Sequence, residues 1–356
     1  MSHRANQSQR QSKRCHFRRR SDPMATIHFL NVGEGDCIVI QHNSGRVSMI
    51  DISCGNLSAV EETTNKLIKA AGLANTGGNG NYNMKAYPTK PQDYLVGLGI
   101  SSIWRFILTH PDMDHLDGFN ALMDELPVNN FWHSGADKPK PDFSSFNGYK
   151  EEDWDRYVKV KDDKEVGTTS LRVLAGTSFK YANVGDDGGA GDGLHVIAPT
   201  QKLVDDANSK TDFNDCSYVI IYRTGGFKII FSGDSHDATW DHILENHEQE
   251  VADCDLLIAP HHGRDSGRSW NFLDVLKPRL TLFGVARSEH LAYDAWNRRG
   301  LYKITNNQAG NVVLDVVDNK MHVYVENDAY AESKNSGDSS RNSQGYRTLG
   351  FLKAKS

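Results

Sequence analysis

The stretch that decides the fold runs from residue 109 to residue 118 and reads THPDMDHLDG. Within it lie four side chains that can bind a metal ion, namely His110, Asp112, Asp114 and His115. An apolar, β-prone run at 103–108 precedes the stretch, and a run with the spacing of a short helix follows at 116–126. The cluster is therefore predicted to lie on a loop between a strand and a helix. Its mixture of imidazole and carboxylate groups suits Zn²⁺, Mn²⁺ or Fe²⁺.

Two other strand ends finish in possible metal ligands. The apolar run 227–231 leads into Asp234, and the run 256–259 leads into the sequence PHHG at 260–263. Each repeats the same order of an apolar strand, an Asp or His, and a Gly or turn. We expect these three ends to converge at one edge of a sheet.

Strands and helices alternate in two sets along the chain, one from residue 25 to about 133 and the other from about 194 to 325. This order predicts one α/β domain over residues 24–326, with sheets inside and helices outside in four layers. Residues 134–193 are predicted as an irregular insertion, and residues 327–356, rich in Ser and Asn, as a polar loose tail.

Charge and cysteine content limit the class of protein. Residues 1–23 hold seven Arg or Lys and one Asp, a net charge of +6, and are predicted as a disordered basic tail. Because the whole chain has a net charge of −6, the remaining residues carry −12. That acidic remainder argues against broad nucleic-acid binding. Five scattered cysteines without a CxxC pair indicate a reducing cytoplasm rather than a disulfide framework. No apolar run approaches the roughly 18–20 residues that span a bilayer, so we expect no membrane anchor.

The insertion mixes lysines with aromatic residues, including Lys138, Phe143, Trp154 and Tyr157. Such a mixture can contact a phosphodiester by charge and stacking. An amphipathic surface insertion with no such role explains the same residues, and the sequence leaves both interpretations open.

Five motifs in order resemble the metallo-β-lactamase superfamily. They are the segments 29–36 with Asp51, 109–118, 213–217, 231–234 and 259–263, and together they extend over about residues 26–325. Within the superfamily the chain is most similar to the metallo-hydrolase domain of ComEC, the competence DNA-uptake protein, and to its stand-alone relatives. The resemblance implies a four-layer αββα sandwich.

The resemblance also implies a centre of two divalent metal ions, Zn or Mn. The ligands that it implies are His110 and Asp112 for the first ion, Asp114 and His115 for the second, Asp234 as a bridge, and His261 as the last histidine. His262 fits the last position as well, because spacing alone does not separate the two. Asp112 stands where the superfamily usually has a histidine, and the histidine before the bridging aspartate has no match; Asn214 or Asp215 occupies that region. The first site is therefore expected to be the weaker one.

Further roles follow from the same resemblance. Asp114, or else Asp234, orients the attacking water, and Asp51 supports the metal-binding loop. His262 and His290 are candidates to face the substrate or the pocket. Asp112 and Thr109 have a simpler alternative as N-cap residues of the helix that follows.

The implied function is that of a metal-dependent hydrolase using a metal-activated water, with a phosphodiester such as a nucleic acid or nucleotide as substrate. Two alternatives remain at this point. One is a hydrolase of a carboxylic ester, lactone or phosphocholine-type ester, which the acidic remainder favours. The other is a non-catalytic metal-bound scaffold, which the missing histidine motivates.

Overall fold

The computed structural model describes residues 23–54, 59–70, 80–145, 148–186 and 189–355, so the predicted basic tail lies outside the described residues except for Pro23. Within these ranges the strands form two sheets. Their bounds are β1 Ala25–Phe29, β2 Ile38–His42, β3 Val47–Ile50, β4 Ile103–Ile107, β5 Val128–His133, β6 Thr169–Arg172, β7 Leu194–Ala198, β8 Val219–Thr224, β9 Phe227–Phe231, β10 Leu256–Ile258, β11 Leu280–Phe283, β12 Lys303–Thr305, β13 Val312–Val317, β14 Lys320–Val325 and β15 Arg347–Lys353.

Both sheets combine an antiparallel half with a parallel half. The first has the order β15-β14-β13-β1-β2-β3-β4-β5-β6, with antiparallel pairing up to β3 and parallel pairing from β3 to β6. The second has the order β12-β11-β10-β9-β8-β7, parallel from β12 to β9 and antiparallel beyond. Parallel pairing matters for function, because it brings the carboxyl ends of neighbouring strands to the same edge.

Side-chain alternation along the strands stacks the two sheets face to face. On β9, Phe227, Ile229 and Phe231 join one buried cluster with residues of the first sheet, whereas Ile230 joins a second cluster on the opposite face. On β4, Ile107 faces the inter-sheet cluster and Phe106 faces outward. Burial of each such side chain stabilises the fold by about 1.5–3 kcal/mol. Because both faces of each sheet carry apolar side chains, both faces must be covered by other elements.

Helices supply that cover. Their bounds are α1 Ala59–Ala70, α2 Pro91–Gly97, α3 Phe119–Glu125, α4 Glu151–Lys161, α5 Gln201–Lys210, α6 Asp237–Val251, α7 Leu273–Leu276, α8 Tyr293–Asn297, α9 Asn306–Ala309 and α10 Asp328–Lys334. Helices α2, α3 and α4 pack on the outer face of the first sheet, and α6, α7 and α8 on that of the second. The layers are helix, sheet, sheet and helix, which confirms the predicted αββα sandwich.

Two segments are more regular than the sequence indicated. The insertion at 134–193 contains α4 and the edge strand β6, which pairs with β5. Trp154, Tyr157 and Val160 recur at helical spacing and are buried against the outer face of the first sheet. Of the two interpretations that the sequence left open, stacking of Trp154 and Tyr157 on a substrate does not fit the structure, because their rings are part of the core.

The expectation of a loose tail at 327–356 is also wrong. Asn327 caps α10 by accepting a hydrogen bond from the Tyr330 amide at 2.8 Å, and β15 extends the first sheet beside β14. Strand β15 lies at the edge of the sheet, where Phe351 and Lys353 are exposed. Leu349 and Leu352 nevertheless pack against the inter-sheet core.

No helix in the described part of the chain has both the length and the apolar character needed to cross a membrane.

A buried ion-pair network ties the end of the insertion to the first sheet. Asp192, just before β7, contacts Arg105 of β4 at 2.9 Å and Arg46 of the β2–β3 turn at 3.0 Å. The side chains of Asp192 and Arg105 are 1% and 3% exposed. Burial acts to raise the pKa of Asp192, but the hydrogen bonds and charges around it outweigh burial and lower that pKa.

We predict that Asp192→Asn lowers the free energy of unfolding by about 3–5 kcal/mol near pH 7, because it leaves the buried Arg105 charge uncompensated. A lowered pKa in the folded state stabilises the fold above the ordinary Asp pKa of about 4, so the difference from wild type should shrink as the pH falls below that value. Urea titrations at several pH values measure both effects. Asp186→Asn, which removes an exposed partner of Lys180, is the matched control and should change stability little. Equal effects of the two variants would contradict the prediction.

Candidate metal centre

The centre forms where parallel strands of the two sheets end side by side. Strands β3 and β4 are parallel neighbours in the first sheet, and Asp51 and the 109–115 loop follow them directly. Strands β9 and β10 are parallel neighbours in the second sheet and lead into Asp234 and His262. The Tyr218 amide donates to the Thr109 carbonyl at 3.1 Å and joins the two edges.

Four side chains meet at this junction. Asp114, His115, Asp234 and His262 each offer one ligand atom, and these atoms all lie within 4.8 Å of one another. His115 Nε2 is 3.4 Å from Asp234 Oδ1, and His262 Nε2 is 3.4 Å from Asp114 Oδ2. Among the described residues this is the one set of three or more such groups that is so close.

The chemistry of this set fits a divalent cation. The Nε2 atoms of His115 and His262 and Oδ1 of Asp234 are buried and have no hydrogen-bond partner. Buried polar atoms are normally satisfied, so orphaned atoms that converge on one point call for a ligand. Two imidazoles and two carboxylates suit Zn²⁺ or Mn²⁺.

A carboxylate lies behind each histidine of the set, hydrogen-bonded to His115 and at ion-pair distance from His262. Asp51 Oδ2 lies 2.7 Å from His115 Nδ1 and also accepts a hydrogen bond from the Thr109 hydroxyl at 2.6 Å. Asp36 Oδ1 lies 3.0 Å from His262 Nδ1. Such partners fix the ring orientation and leave Nε2 free to bind a metal. Asp51, for which a supporting role was predicted, thus contacts both Thr109 and His115. Asp36 was noted only as part of a motif, and no separate role was predicted for it.

The carboxylates control protonation in the set. Burial acts to lower the pKa of His262, but Asp36 and Asp234 raise it to about 10. Burial opposes protonation of His115 as well, yet Asp234 and Asp51 raise its pKa well above the ordinary value. The cluster therefore carries enough negative charge to hold protons on both rings, and a divalent cation would displace them.

The backbone at the centre is strained and tightly packed. Asp51, His261 and His262 have φ values of 55°, 52° and 57°, in the left-handed region that non-glycine residues seldom adopt. At Gly35, with a φ of 102°, a Cβ would lie 2.0 Å from the Asp114 carbonyl oxygen. At Gly233 a Cβ would meet the Thr109 and Ser217 side chains at 2.9 and 3.0 Å. Only glycine permits this close approach.

His110 and Asp112 lie beside the set but do not join it. His110 Nε2 is buried, without a hydrogen-bond partner, 3.9 Å from Asp234 Oδ2 and 3.7 Å from Asp112 Oδ1. Asp112 pairs with Lys138 Nζ at 2.5 Å. The N-cap alternative is not observed, since Asp112 makes no side-chain cap bond and Thr109 bonds Asp51 instead.

His261, the predicted last ligand, has different surroundings from His262. Its Nε2 is 3.6 Å from Asp234 Oδ2, but it is His262 that enters the four-residue set. Arg268 Nη2 donates to His261 Nδ1 at 3.2 Å, and Ser266 Oγ is 2.8 Å from the same atom. Burial lowers the pKa of His261 to about 4, so the ring is neutral at pH 7.

Three other predicted residues serve elsewhere. The Asp215 carboxylate accepts hydrogen bonds from the backbone amides of His236 and Thr239 at the start of α6. Asn214 opens the short turn Asn214–Cys216 and is outside the four-residue set. His290 is exposed, and its carbonyl accepts from the Asp265 amide at 2.7 Å. None of the three belongs to the donor cluster among the described residues.

The insertion contributes to the surroundings of the centre. Besides Lys138 it supplies Tyr149, a half-buried residue whose pKa is raised by burial and by the charges of nearby carboxylates, Asp114 among them. Arg268 adds a second cation near the centre, since its guanidinium donates to His261 Nδ1 at 3.2 Å. Its side chain is 5% exposed and forms no ion pair within the described residues. The centre thus combines buried carboxylates with basic groups beside them.

Comparison with known proteins gives matches at low identity. No protein-family model matches the sequence. ComE operon protein 3 of Bacillus subtilis (strain 168) is 23% identical over 262 residues, which cover 69% of this chain and 29% of that protein. The chain therefore corresponds to less than a third of the curated relative that it matches.

Solved structures give similar matches. Igni18, a metallo hydrolase from the archaeon Ignicoccus hospitalis KIN4/I, aligns with 81% of this chain and 98% of its own at 13% identity and a TM-score of 0.44. Tm1679, a metal-dependent hydrolase of the β-lactamase superfamily, aligns with 83% and 100% at 15% identity and a TM-score of 0.44. A diphosphatase from the PhnP family aligns with 83% and 99% at 12% identity and a TM-score of 0.40. The resemblance to ComEC indicated by the motifs is thus confirmed as a similarity to ComE operon protein 3.

Proposed function

We propose that the chain is a metal-dependent hydrolase that cleaves a phosphodiester. The observation that carries this proposal is the buried set of Asp114, His115, Asp234 and His262, with ligand atoms within 4.8 Å of one another and three of them orphaned. A divalent cation held there would lower the pKa of a bound water to about 7 and neutralise charge that develops on a phosphoryl group.

The partners behind the two adjacent histidines support His262 as the ligand. A carboxylate only accepts, so Asp36 favours the proton of neutral His262 on Nδ1 and leaves a lone pair on Nε2. A guanidinium only donates, so Arg268 places the proton of neutral His261 on Nε2. On this basis His262 binds the metal, and His261 donates a hydrogen bond to a substrate oxygen.

Exposure supports Asp114 as the residue that handles the attacking water. Its side chain is 26% exposed, whereas those of His115, Asp234 and His262 are at most 3% exposed. The charges of His115 and His262 outweigh burial and lower the pKa of Asp114, so it is a carboxylate at neutral pH. It can therefore accept a hydrogen bond from water and orient it.

Basic groups at the centre support an anionic substrate. The Arg268 guanidinium donates to the Ser235 carbonyl and to His261 Nδ1, and it forms no ion pair within the described residues. Lys138 Nζ is paired with Asp112 at 2.5 Å. Cations of this kind neutralise the oxygens of a phosphodiester, whereas a neutral ester or lactone gains little from them. This favours a phosphodiester over the carboxylic ester and lactone alternatives.

We predict that the wild-type protein, loaded with Mn²⁺ or Zn²⁺, hydrolyses bis-p-nitrophenyl phosphate, and that Asp114→Asn lowers kcat by at least about 100-fold. Single-stranded DNA, p-nitrophenylphosphocholine and p-nitrophenyl acetate, assayed beside it, separate the substrate classes. Asp155→Asn on the exposed side of α4 is the matched control and should retain activity.

If only p-nitrophenyl acetate were hydrolysed, the substrate class would be a carboxylic ester and not a phosphodiester. Equal inactivity of wild type and Asp114→Asn at full metal occupancy would instead support a non-catalytic scaffold.

We predict that His262→Ala and His261→Ala differ in metal content. His262→Ala removes a ligand and should lose bound metal on dialysis, whereas His261→Ala should retain it and lose turnover. Elemental analysis of the dialysed proteins measures the difference directly. Loss of metal from His261→Ala together with retention by His262→Ala would reverse the assignment.

We predict that Asp36→Asn weakens metal binding by about 10–100-fold while the fold is kept, because the amide no longer fixes the ring of His262. Competition with a chromophoric chelator gives the dissociation constant, and circular dichroism checks the fold. Glu34→Gln, two residues earlier on an exposed side chain, is the control. An unchanged dissociation constant for Asp36→Asn would show that Asp36 has no part in metal binding.

A further inference from the structure

The place next to the four-residue set is poorly equipped for a second divalent ion. His110 and Asp112 are the residues implied for it, yet neither joins a set of three or more close ligand atoms in the described chain. The region that would supply another imidazole holds Asp215, whose carboxylate is committed to the amides at the start of α6. His110 Nε2 is buried there without a hydrogen-bond partner, but Asp112 is paired with Lys138 and no third donor of the described residues completes a close set. The donors present therefore do not fit a strong second site.

A positive charge already lies at that place. Lys138 Nζ is 2.5 Å from Asp112 Oδ1, and the same ammonium is 5.3 Å from the centre of the Phe213 ring. The Lys138 side chain is 21% exposed. Carboxylate on one side and aromatic ring on the other are both favourable surroundings for a cation.

The backbone that carries Lys138 is anchored. Ala136 is buried in a small apolar cluster with Val204, Phe213 and Cys216, and the Asp137 amide donates to Asn208 Oδ1 at 2.8 Å. The two residues before Lys138 are therefore held in place, and they position the lysine beside Asp112. A free surface lysine would lose side-chain entropy to keep such a position.

We propose that Lys138 takes the place of the first metal ion, so that the chain retains one divalent cation, held by Asp114, His115, Asp234 and His262. This inference rests on the metal binding of the proposed function. A divalent ion at Asp112 would compete with the ammonium for the same carboxylate and would be repelled by it at short range. The single positive charge of Lys138 thereby neutralises part of the negative charge at Asp112 that a second ion would otherwise neutralise.

The test measures metal content and spin state rather than activity. Apoprotein is loaded with Mn²⁺, dialysed, and analysed for manganese per chain and by electron paramagnetic resonance. We expect wild type to retain one Mn²⁺ with an uncoupled six-line signal. Lys138→Met should bind a second Mn²⁺ at least about tenfold more tightly than wild type does and show a spin-coupled pair. The control Lys140→Met, which removes an exposed partner of Glu151 and Asp155, should match wild type.

A second variant keeps the test decisive if Lys138→Met fails to fold. Asp112→Asn should retain the single Mn²⁺, because Asp112 does not bind the ion that is held. Two ions in wild type, one ion in a folded Lys138→Met, or loss of the ion from Asp112→Asn would each overturn the proposal. Absence of bound ions in wild type would contradict this inference and the proposed function together, whereas one retained ion without phosphodiester turnover would contradict only the latter.

Discussion

Asp51 holds the loop on which the rest of the centre depends. One of its carboxylate oxygens accepts from the Thr109 amide at 2.7 Å, and the other contacts the Thr109 hydroxyl and His115 Nδ1 at 2.6 and 2.7 Å. These contacts join the end of β3 to the segment after β4 and orient His115 toward the ligand position. The cost is a buried charge and a left-handed backbone at a non-glycine residue.

Much of this arrangement could be predicted from the sequence because the same order, an apolar strand followed by Asp or His, recurs along the chain. Apolar runs that end in Asp or His locate Asp114, His115 and Asp234 at strand ends, and parallel neighbours bring those ends together. Strand β15 could not be recognised in the same way. It is an edge strand that follows a Ser- and Asn-rich segment, and its sequence shows no regular alternation of apolar and polar residues, because Arg347 and Thr348 are buried whereas Phe351 is exposed.

The choice between His261 and His262 was equally beyond the sequence. Both follow β10 and both have left-handed backbone, so spacing and local structure treat them alike. The difference lies in partners from distant segments, Asp36 from the loop between β1 and β2 and Arg268 from the loop before α7. Lys138 belongs to the same category: its contact with Asp112 spans 26 residues and arises from the packing of the insertion.

The amide-to-carbonyl bond between Tyr218 and Thr109 joins two sheets whose ligands come from opposite halves of the polypeptide. During synthesis, a nascent chain that has emerged only as far as β8 possesses Asp114 and His115 but lacks Asp234 and His262. On the proposed function, capture of a cation would therefore be a late event in synthesis, and a tightly held ion would resist separation of the two halves. Chelation would then loosen the junction between the sheets before either sheet itself.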